Sequence, residues 1–354
     1  MPTFTLTTIT RCQYLIVGTI IALTFGLLLG MGLAVPFGDI WPPLLFCGGL
    51  ALGACFYWWR GVESFMLCLK ALAILVGTTA VFGPLTYAVA TLRWPWVDSQ
   101  LARFDAACGV SAGALVTWTA QHPWFDLLMR LVYSSVFPQI IAVIVVLGFA
   151  ADRRLDVFLI RFMLGGLLTS AIFAFLPAQG TCVYFHQTTP GHYVDVLGEL
   201  YRLRRGVLFV SWRDAQGIVT FPSFHTIWAV LLIAAFRGRW MFWPILILNS
   251  LVLLSCVTTG MHYFADVLGG LIVTAIVIVA TRPLCQTLER SNRRCADHAD
   301  SDGRSPDRAI PLTEGLPGAP QDLQLGQDGN PWLGLESGLN DRPKLEYDLA
   351  GRTS

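Results

Sequence analysis

The chain has 354 residues, of which 55% are hydrophobic and only 13% are charged. Charged residues make up about a quarter of ordinary soluble domains, so this composition excludes that class and indicates a polytopic membrane protein. The formal net charge of +1 hides a division, because residues 283 to 354 carry more acids than bases and the first 282 residues carry the reverse. The overall charge gives no indication of a nucleic-acid partner, and we expect none.

Apolar runs predict an all-α membrane bundle. A helix needs about 20 apolar residues to cross the hydrocarbon core. On that basis the sequence predicts about eight transmembrane helices, near residues 14 to 36, 42 to 59, 65 to 90, 124 to 149, 157 to 178, 222 to 236, 240 to 258 and 263 to 281. Between the third and fourth, residues 91 to 123 show the pattern of one or two amphipathic helices at the interface, interpreted as a lid or brace.

Arginines in the short loops predict the orientation, since cytoplasmic loops carry an excess of basic residues. With the N-terminus inside, every short basic loop falls on the cytoplasmic side; these arginines are Arg11, Arg60, Arg153, Arg154, Arg237, Arg239 and Arg282. The long loop from 178 to 221 and the turn at 258 to 262 then lie on the non-cytoplasmic face. We expect an integral protein of the plasma (inner) membrane.

Residues 283 to 354 differ from the rest of the chain. They are rich in Asp, Gly, Pro, Gln and Ser and contain few apolar residues. Such a segment buries too little apolar surface to offset its ordering entropy. The sequence therefore predicts a disordered cytoplasmic tail.

Two polar stretches stand within the apolar part, and a polar side chain at membrane depth is costly unless it faces a cavity or a partner. In one of them, His262 and Asp266 are four residues apart at the start of the last predicted span, so on a helix they share a face. The carboxylate can fix the imidazole tautomer and leave the other ring nitrogen free to attack. The alternative is a structural His/Asp pair.

The other stretch surrounds Pro222, which suits the first turn of a helix. That position predicts free amide groups at Ser223, Phe224 and His225, a geometry that favours an anion. The Ser223 hydroxyl can add a donor and His225 can offer a proton. The alternative is a Ser/Thr-rich helix cap with a chance histidine.

Together the two stretches resemble the type 2 phosphatidic acid phosphatase superfamily, whose fold is shared with vanadium haloperoxidases. Its second signature, Pro-Ser-x-His, is met by residues 222 to 225. Its third, Ser-Arg-x5-His-x3-Asp, is met by Ser255, His262 and Asp266, with Cys256 at the arginine position.

The first signature of that superfamily, Lys-x6-Arg-Pro, is absent, because no lysine occurs from residue 71 to 343. The nearest basic group on the same side lies just upstream of the second signature and consists of Arg202, Arg204 and Arg205. The sequences of residues 217 to 225 and 260 to 266 are most similar to those of the inositol phosphorylceramide synthase-like branch, in which these basic positions are also commonly altered.

The resemblance implies a reaction through phosphohistidine. His262 would attack phosphorus, Asp266 would orient it, and His225 would protonate the leaving oxygen and later activate the acceptor. Ser223, the helix amides and one or more of the three arginines, with Arg204 as the main clamp, would hold the equatorial oxygens. The resemblance implies no metal or other cofactor.

The resemblance covers roughly residues 65 to 281, with the third to eighth spans as a six-helix core. It divides the chain into N-terminal transmembrane helices (1–64), a catalytic membrane domain (65–282) and the tail (283–354). The implied substrate is a phospholipid or other lipid phosphate at the non-cytoplasmic face. A water acceptor would make the protein a lipid phosphatase, and a lipid hydroxyl would make it a phosphotransferase. The missing basic residues motivate a third alternative, a non-catalytic protein that binds or moves lipid.

Overall fold

The computed structural model describes residues 8–186, 191–207, 209, 217–284 and 286. Over these residues the fold is all-helical, and the one extended pairing is an isolated bridge between Ala34 and Phe209. This confirms the predicted helical class. The predicted tail lies almost entirely outside the described residues, so its disorder stays a prediction.

Thirteen helices follow one another in the described part of the chain. They are α1 (Thr8–Gly30), α2 (Phe37–Trp59), α3 (Glu63–Ala90), α4 (Asp98–Ala107), α5 (Ala112–Ala120), α6 (Pro123–Ser134), α7 (Val136–Phe149), α8 (Arg154–Phe175), α9 (Thr181–Tyr184), α10 (Gly191–Arg204), α11 (Phe224–Ala235), α12 (Phe242–Thr258) and α13 (Phe264–Ala280).

Five helical segments in the described part are long and apolar enough to cross a membrane: α1, α2, α3, α8 and the combined α6 and α7. Helices α11, α12 and α13 are equally apolar but have 12, 17 and 17 residues. The five long apolar segments suggest an integral membrane protein. The count of eight spans and the six-helix core stay predictions, because the last three helices are shorter than a full span requires.

Helix α8 is the central helix of the bundle, and α3, α11 and α13 all pack against it. Its contact with α3 is close because Gly166 faces the ring of Phe82. A Cβ atom at this glycine would lie 2.5 Å from Cζ of Phe82, which is well inside van der Waals contact. Any larger residue at position 166 would have to displace the ring of Phe82 or widen the spacing of the two helices.

The first helix is fixed to this bundle by a buried polar cluster around Asp156 of α8. Its Oδ1 atom accepts a hydrogen bond from Nε2 of Gln13 in α1 at 2.9 Å and lies 3.2 Å from Nζ of Lys70 in α3. Breaking a buried ion pair by removing one partner is costly, because it leaves the other charge unpaired. The cluster therefore anchors α1 and α3 to the bundle.

The segment from 91 to 123 forms two short helices, α4 and α5, as its amphipathic pattern predicted. Helix α4 carries two buried carboxylates, Asp98 and Asp105. Asp105 accepts hydrogen bonds from the amides of Phe264 and Ala265 at 2.9 and 2.8 Å. A carboxylate is favourable at a helix N-terminus, where amides are unpaired and the helix dipole is positive. Helix α4 thus braces the start of α13.

Asp98 binds the residues just before α9 and the residue just before α13. Its carboxylate accepts hydrogen bonds from the amides of Gln179 and Gly180 and, at 3.0 Å, from the hydroxyl of Tyr263. Burial raises the pKa of Asp98 and of Asp105 above the ordinary value, although these hydrogen bonds oppose the shift. Two buried carboxylates therefore hold the start of α13. Burying them is costly, and hydrogen bonds from backbone amides and from the hydroxyl of Tyr263 offset that cost.

Candidate active site

The turn between α12 and α13 places His262 beside Asp266. Nδ1 of His262 lies 3.2 Å from Oδ2 of Asp266 and 2.9 Å from the carbonyl oxygen of Thr220. Both partners are acceptors, so Nδ1 carries the hydrogen and Nε2 presents its lone pair. His262 and Asp266 are both buried, with 4% and 0% of their surface exposed.

This pair forms differently from the prediction. The sequence predicted both residues on one face of a helix, but α13 begins at Phe264, so His262 precedes the helix. Asp266 lies in the first turn and reaches back, where its Oδ2 atom also accepts from the amide of Tyr263 at 2.9 Å. The pairing arises because a carboxylate in the first turn satisfies amides before the helix.

Gly260 determines the shape of the turn that carries His262. Its φ angle is +78°, which favours glycine, and a Cβ atom there would lie 2.3 Å from Sγ of Cys182. Its carbonyl oxygen accepts from the amide of Cys182 and from the hydroxyl of Thr181. The start of α9 is thereby attached to the turn that carries His262.

The start of α11 also differs from the prediction. Pro222 lies before the helix rather than in its first turn, because Ser223 is the N-cap and α11 begins at Phe224. The amide of Ser223, predicted to be free for an anion, donates to the carbonyl oxygen of Asp266 at 3.0 Å. This bond joins the two polar stretches directly, at the expense of one anion-binding donor.

The Ser223 hydroxyl is used by the same cap. It accepts from the amide of Thr226 at 3.3 Å, lies 3.9 Å from Sγ of Cys256, and belongs to a residue with 0% of its surface exposed. Ser223 does not line the cavity described below. Its predicted contact with phosphate stays a prediction and would compete with the helix cap.

One cavity of about 580 Å³ contains both histidines. The ring centroids of His225 and His262 are 6.1 Å apart, and Nε2 of His225 has no hydrogen-bond partner among the described residues. The walls are mainly apolar, and the largest side chains among them are Phe82, Phe137, Phe224 and Trp228. Two imidazoles thus line one cavity within the bundle.

Tyr133 of α6 connects the two histidines and was not predicted. Its hydroxyl oxygen lies 3.0 Å from Nδ1 of His225 and 3.4 Å from Nε2 of His262. Its ring stacks on the ring of His225 with a centroid distance of 3.9 Å. The sequence carried no motif that could have found it, since it lies about ninety residues before His225 in a separate helix.

The arginines predicted to hold the phosphate lie outside the cavity that contains the histidines. Arg204 donates to the carbonyl oxygen of Trp94, and its guanidinium carbon lies 3.8 Å from the ring centroid of Trp96. Arg202 pairs with Glu199. Neither they nor Arg205 line the cavity. Their role in phosphate binding stays a prediction.

Arg130 is the only Lys or Arg in the described part of the chain that lines the cavity. It lies on α6, three residues before Tyr133 and therefore on the same helix face. Its Nε atom lies 2.8 Å from Oδ2 of Asp126, a contact that does not use the two terminal nitrogens. Arg130 thus brings a fixed positive charge to the cavity.

A second cavity of about 640 Å³ lies beside the first. Thr79, Gly83, Phe137 and Trp228 line both, so the two spaces adjoin across these residues. Its other walls come mostly from apolar residues of α2, α3, α7 and α8, including Pro42, Pro43, Leu75, Val76, Ile140, Ile141 and Phe162. A mainly apolar space therefore adjoins the polar one.

The family is shown by sequence comparison. A family model described as the PAP2 superfamily matches residues 99–280, a little over half of the chain. The chain belongs to the PAP2 superfamily. Membership suggests a phosphatase or phosphotransferase, and a membrane-embedded member suggests lipid phosphate substrates. Comparison with curated proteins gave no match, and comparison with solved structures gave none.

The matched range begins inside α4 and ends with α13. It contains His225, His262, Asp266 and also Tyr133, whereas α1, α2 and α3 precede it. Helices α1 and α2 nevertheless both pack on α3, α1 and α3 pack against α8, and α3 contributes to the walls of both cavities. The cavities therefore depend on helices outside the matched range.

Proposed function

We propose that the protein is an integral membrane lipid phosphatase or phosphotransferase that works through a phosphohistidine intermediate on His262. The observation that carries the proposal is the pairing of His262 with Asp266 in a cavity that also contains His225. A buried histidine oriented by a carboxylate, with a second imidazole nearby, matches the requirements for nucleophilic and acid–base catalysis.

His262 is the nucleophile in this proposal. With Nδ1 bound to Asp266 and to the carbonyl oxygen of Thr220, the lone pair of Nε2 is available for attack on phosphorus. The negative charge of Asp266 stabilises the positive charge that develops on the imidazole as the P–N bond forms. Phosphorylation therefore takes place on Nε2.

His225 is the general acid and base. Its Nε2 atom, which has no partner among the described residues, gives a proton to the leaving oxygen and later takes one from the acceptor. The same group serves both steps, because the second is the reverse of the first with a different oxygen. Water as acceptor gives a phosphatase, and a lipid hydroxyl gives a phosphotransferase.

Arg130 is the cation that holds the phosphate in this proposal, since it lines the cavity that contains the histidines. The amides of Phe224 and His225 at the start of α11 add two donors. Arg130 is the one Lys or Arg that lines this cavity in the part of the chain that the structure describes, and one cation suits the single charge of a phosphodiester better than the two charges of a monoester. This favours the inositol phosphorylceramide synthase-like branch, whose substrates include a phosphodiester lipid.

The apolar cavity supports a lipid as the substrate. It adjoins the histidine cavity at Thr79, Gly83, Phe137 and Trp228, so a phosphate held by the histidines would have a lipid chain beside it. A lipid chain there would exchange van der Waals contacts with the bilayer for similar contacts with the cavity walls, so it could stay in an apolar environment while its phosphate reaches the histidines. The orientation predicted from the loop arginines places this reaction at the non-cytoplasmic face.

Incubation of purified protein in liposomes with phosphorus-labelled phospholipids tests the proposal. Label in free phosphate identifies a phosphatase, and label in a new lipid identifies a phosphotransferase. Protein with His262→Ala serves as the control and should produce neither. If the wild type turns over none of the lipids of its host membrane, the non-catalytic alternative is supported instead.

A further inference from the structure

The hydroxyl of Tyr133 occupies the position between the two catalytic histidines. It contacts Nδ1 of His225 at 3.0 Å and Nε2 of His262 at 3.4 Å, and Nε2 is the atom that attacks phosphorus in the proposed reaction. The stacking of its ring on His225 restricts where the hydroxyl can point. The hydroxyl is therefore held beside the nitrogen that reacts in the proposed mechanism.

The direction of these hydrogen bonds follows from the partners of His262. Nδ1 faces two oxygen acceptors and carries the hydrogen, so Nε2 accepts. A phenol has one hydrogen, which Tyr133 donates to Nε2 of His262, and its oxygen then accepts from Nδ1 of His225. With Nδ1 engaged in this way, His225 is the imidazolium before the attack, and its Nε2 is the nitrogen that loses the catalytic proton and later regains it.

The attack must break one of these bonds. The lone pair of Nε2 of His262 forms the bond to phosphorus, the bond from phosphorus to the leaving oxygen breaks, and that oxygen takes the proton from Nε2 of His225. The hydroxyl of Tyr133 is then released from Nε2. Phosphorus is now bonded to that same nitrogen, so the oxygens that it carries lie within reach of the released O–H group.

Resting on the function proposed above, we propose that Tyr133 is a further catalytic residue. Its hydroxyl protects the nucleophilic nitrogen in the resting protein and passes its hydrogen bond to a phosphoryl oxygen as the P–N bond forms. This donor acts where negative charge develops, and such donors are most effective in a water-excluded site. It compensates in part for the basic signature that the sequence lacks.

Tyr133→Phe tests the proposal, since it retains the ring and its stacking and removes the hydroxyl. The rate of phosphoenzyme formation on a phosphorus-labelled lipid, measured in a single turnover, should fall about 100-fold. KM should change little, because the hydroxyl acts after the substrate is bound. Tyr57→Phe is the matched control, since Tyr57 also stacks on an aromatic ring, that of Phe65, and lines neither cavity. It should behave as wild type.

A second measurement does not depend on turnover. Without the hydroxyl, Nε2 of His262 loses its resting partner, so diethyl pyrocarbonate should modify His262 about fivefold faster in Tyr133→Phe than in wild type. His122, which is half-exposed, provides the internal standard and should react equally in both. Site-resolved mass spectrometry measures the two rates. A general loosening of the fold would instead lower the melting temperature and also change the rate at His122.

Two results would overturn the proposal: a Tyr133→Phe protein that forms phosphoenzyme at the wild-type rate, or an unchanged rate of His262 modification. If this variant fails to fold, fluorotyrosine at position 133 keeps the shape and alters the acidity of the phenol, and a rate that does not respond to it would also overturn the proposal. A wild type that forms no phosphoenzyme would be recognised separately as a failure of the proposed function, and this role would fall with it.

Discussion

Asp266 holds His262 from a position further along the chain, with Oδ2 of the carboxylate 3.2 Å from Nδ1 of the imidazole. The carboxylate lies in the first turn of α13, and the histidine precedes that helix. The same oxygen accepts from the amide of Tyr263, so one carboxylate both caps the helix and orients His262, the proposed nucleophile. In the proposed mechanism, a change at Asp266 would therefore affect catalysis and the local fold together.

Asp266→Asn should lower the rate of phosphoenzyme formation about 10²- to 10⁴-fold. The amide group can present its NH₂ to Nδ1, which favours the opposite tautomer of His262 and places a hydrogen on Nε2. Single-turnover assays on labelled lipid measure the effect. Asp152→Asn, at an ion pair with Arg239 distant from the cavity, is the control and should retain activity. Equal rates for Asp266→Asn and wild type would contradict the tautomer argument.

Arg130→Lys should reduce activity more than Arg204→Lys does. Arg130 lines the cavity with the histidines, whereas Arg204 is bound by Trp94 and Trp96, and lysine cannot reproduce the planar fork of arginine on two phosphate oxygens. We expect a loss of about 10²-fold for Arg130→Lys. Steady-state kinetics on lipid vesicles compare the two. The reverse order would restore Arg204 as the main clamp, as the sequence predicted.

Thr79→Trp should alter chain-length preference. Thr79 lines both cavities, so a bulky indole there narrows the passage between the phosphate site and the apolar space. Turnover of a long-chain lipid phosphate should fall about tenfold relative to a short-chain, water-soluble analogue, since one blocked apolar contact region is worth about 1–3 kcal/mol. Val145→Trp, on an exposed position of α7, is the control. A parallel loss on both substrates would contradict a chain in the second cavity.

The buried carboxylate of Asp98 predicts a pH dependence of stability. Burial raises its pKa above the ordinary value of 3.8, so the folded protein holds this proton to a higher pH than the unfolded chain does. Stability from this group is therefore present at acidic pH and is lost as pH rises through the raised pKa. The melting temperature of wild type minus that of Asp98→Asn should decrease from pH 4 to pH 7, roughly the interval above that ordinary value. A difference that increases with pH would show that the hydrogen bonds from Gln179, Gly180 and Tyr263 outweigh burial.

The apolar runs predicted much of the fold, and two short motifs predicted much of the candidate site. The apolar segments predicted the long helices because burial in lipid demands continuous apolar length, and His262 and Asp266 were found through their spacing. Helix ends were less predictable: the cap at Ser223 and the start of α13 at Phe264 depend on hydrogen bonds between segments, such as that from Ser223 to Asp266.

Tertiary packing also brings residues to the candidate site that neither of the two motifs contains. Tyr133 and Arg130 lie on α6, and their positions beside His225 and His262 result from the packing of α6 against α12 and of α7 against α11. Arg204 was favoured because it is near the second signature in sequence. Local spacing cannot report such long-range placement, since a side chain's neighbours across the bundle are set by helix packing.

The two histidines should have separable roles. His225→Ala should be severely impaired on a lipid alkyl phosphate, whose leaving oxygen needs a proton, and should recover much of its first-step rate on a nitrophenyl phosphate, whose leaving group is stable as an anion. The ratio of mutant to wild-type rates on the two substrates, in a burst assay, measures this. Equal losses on both substrates would count against His225 as the acid.

The proposed mechanism depends on a covalent bond between phosphorus and His262. The most direct test is to mix wild-type protein with phosphorus-labelled lipid, stop the reaction within a single turnover, and locate the label by mass spectrometry under alkaline conditions that preserve phosphohistidine. We expect an acid-labile phosphate on His262 in wild type and none on any residue in His262→Ala, which should also be inactive on lipid and aryl phosphates alike. A His262→Ala protein that still turns over either substrate would contradict the covalent mechanism.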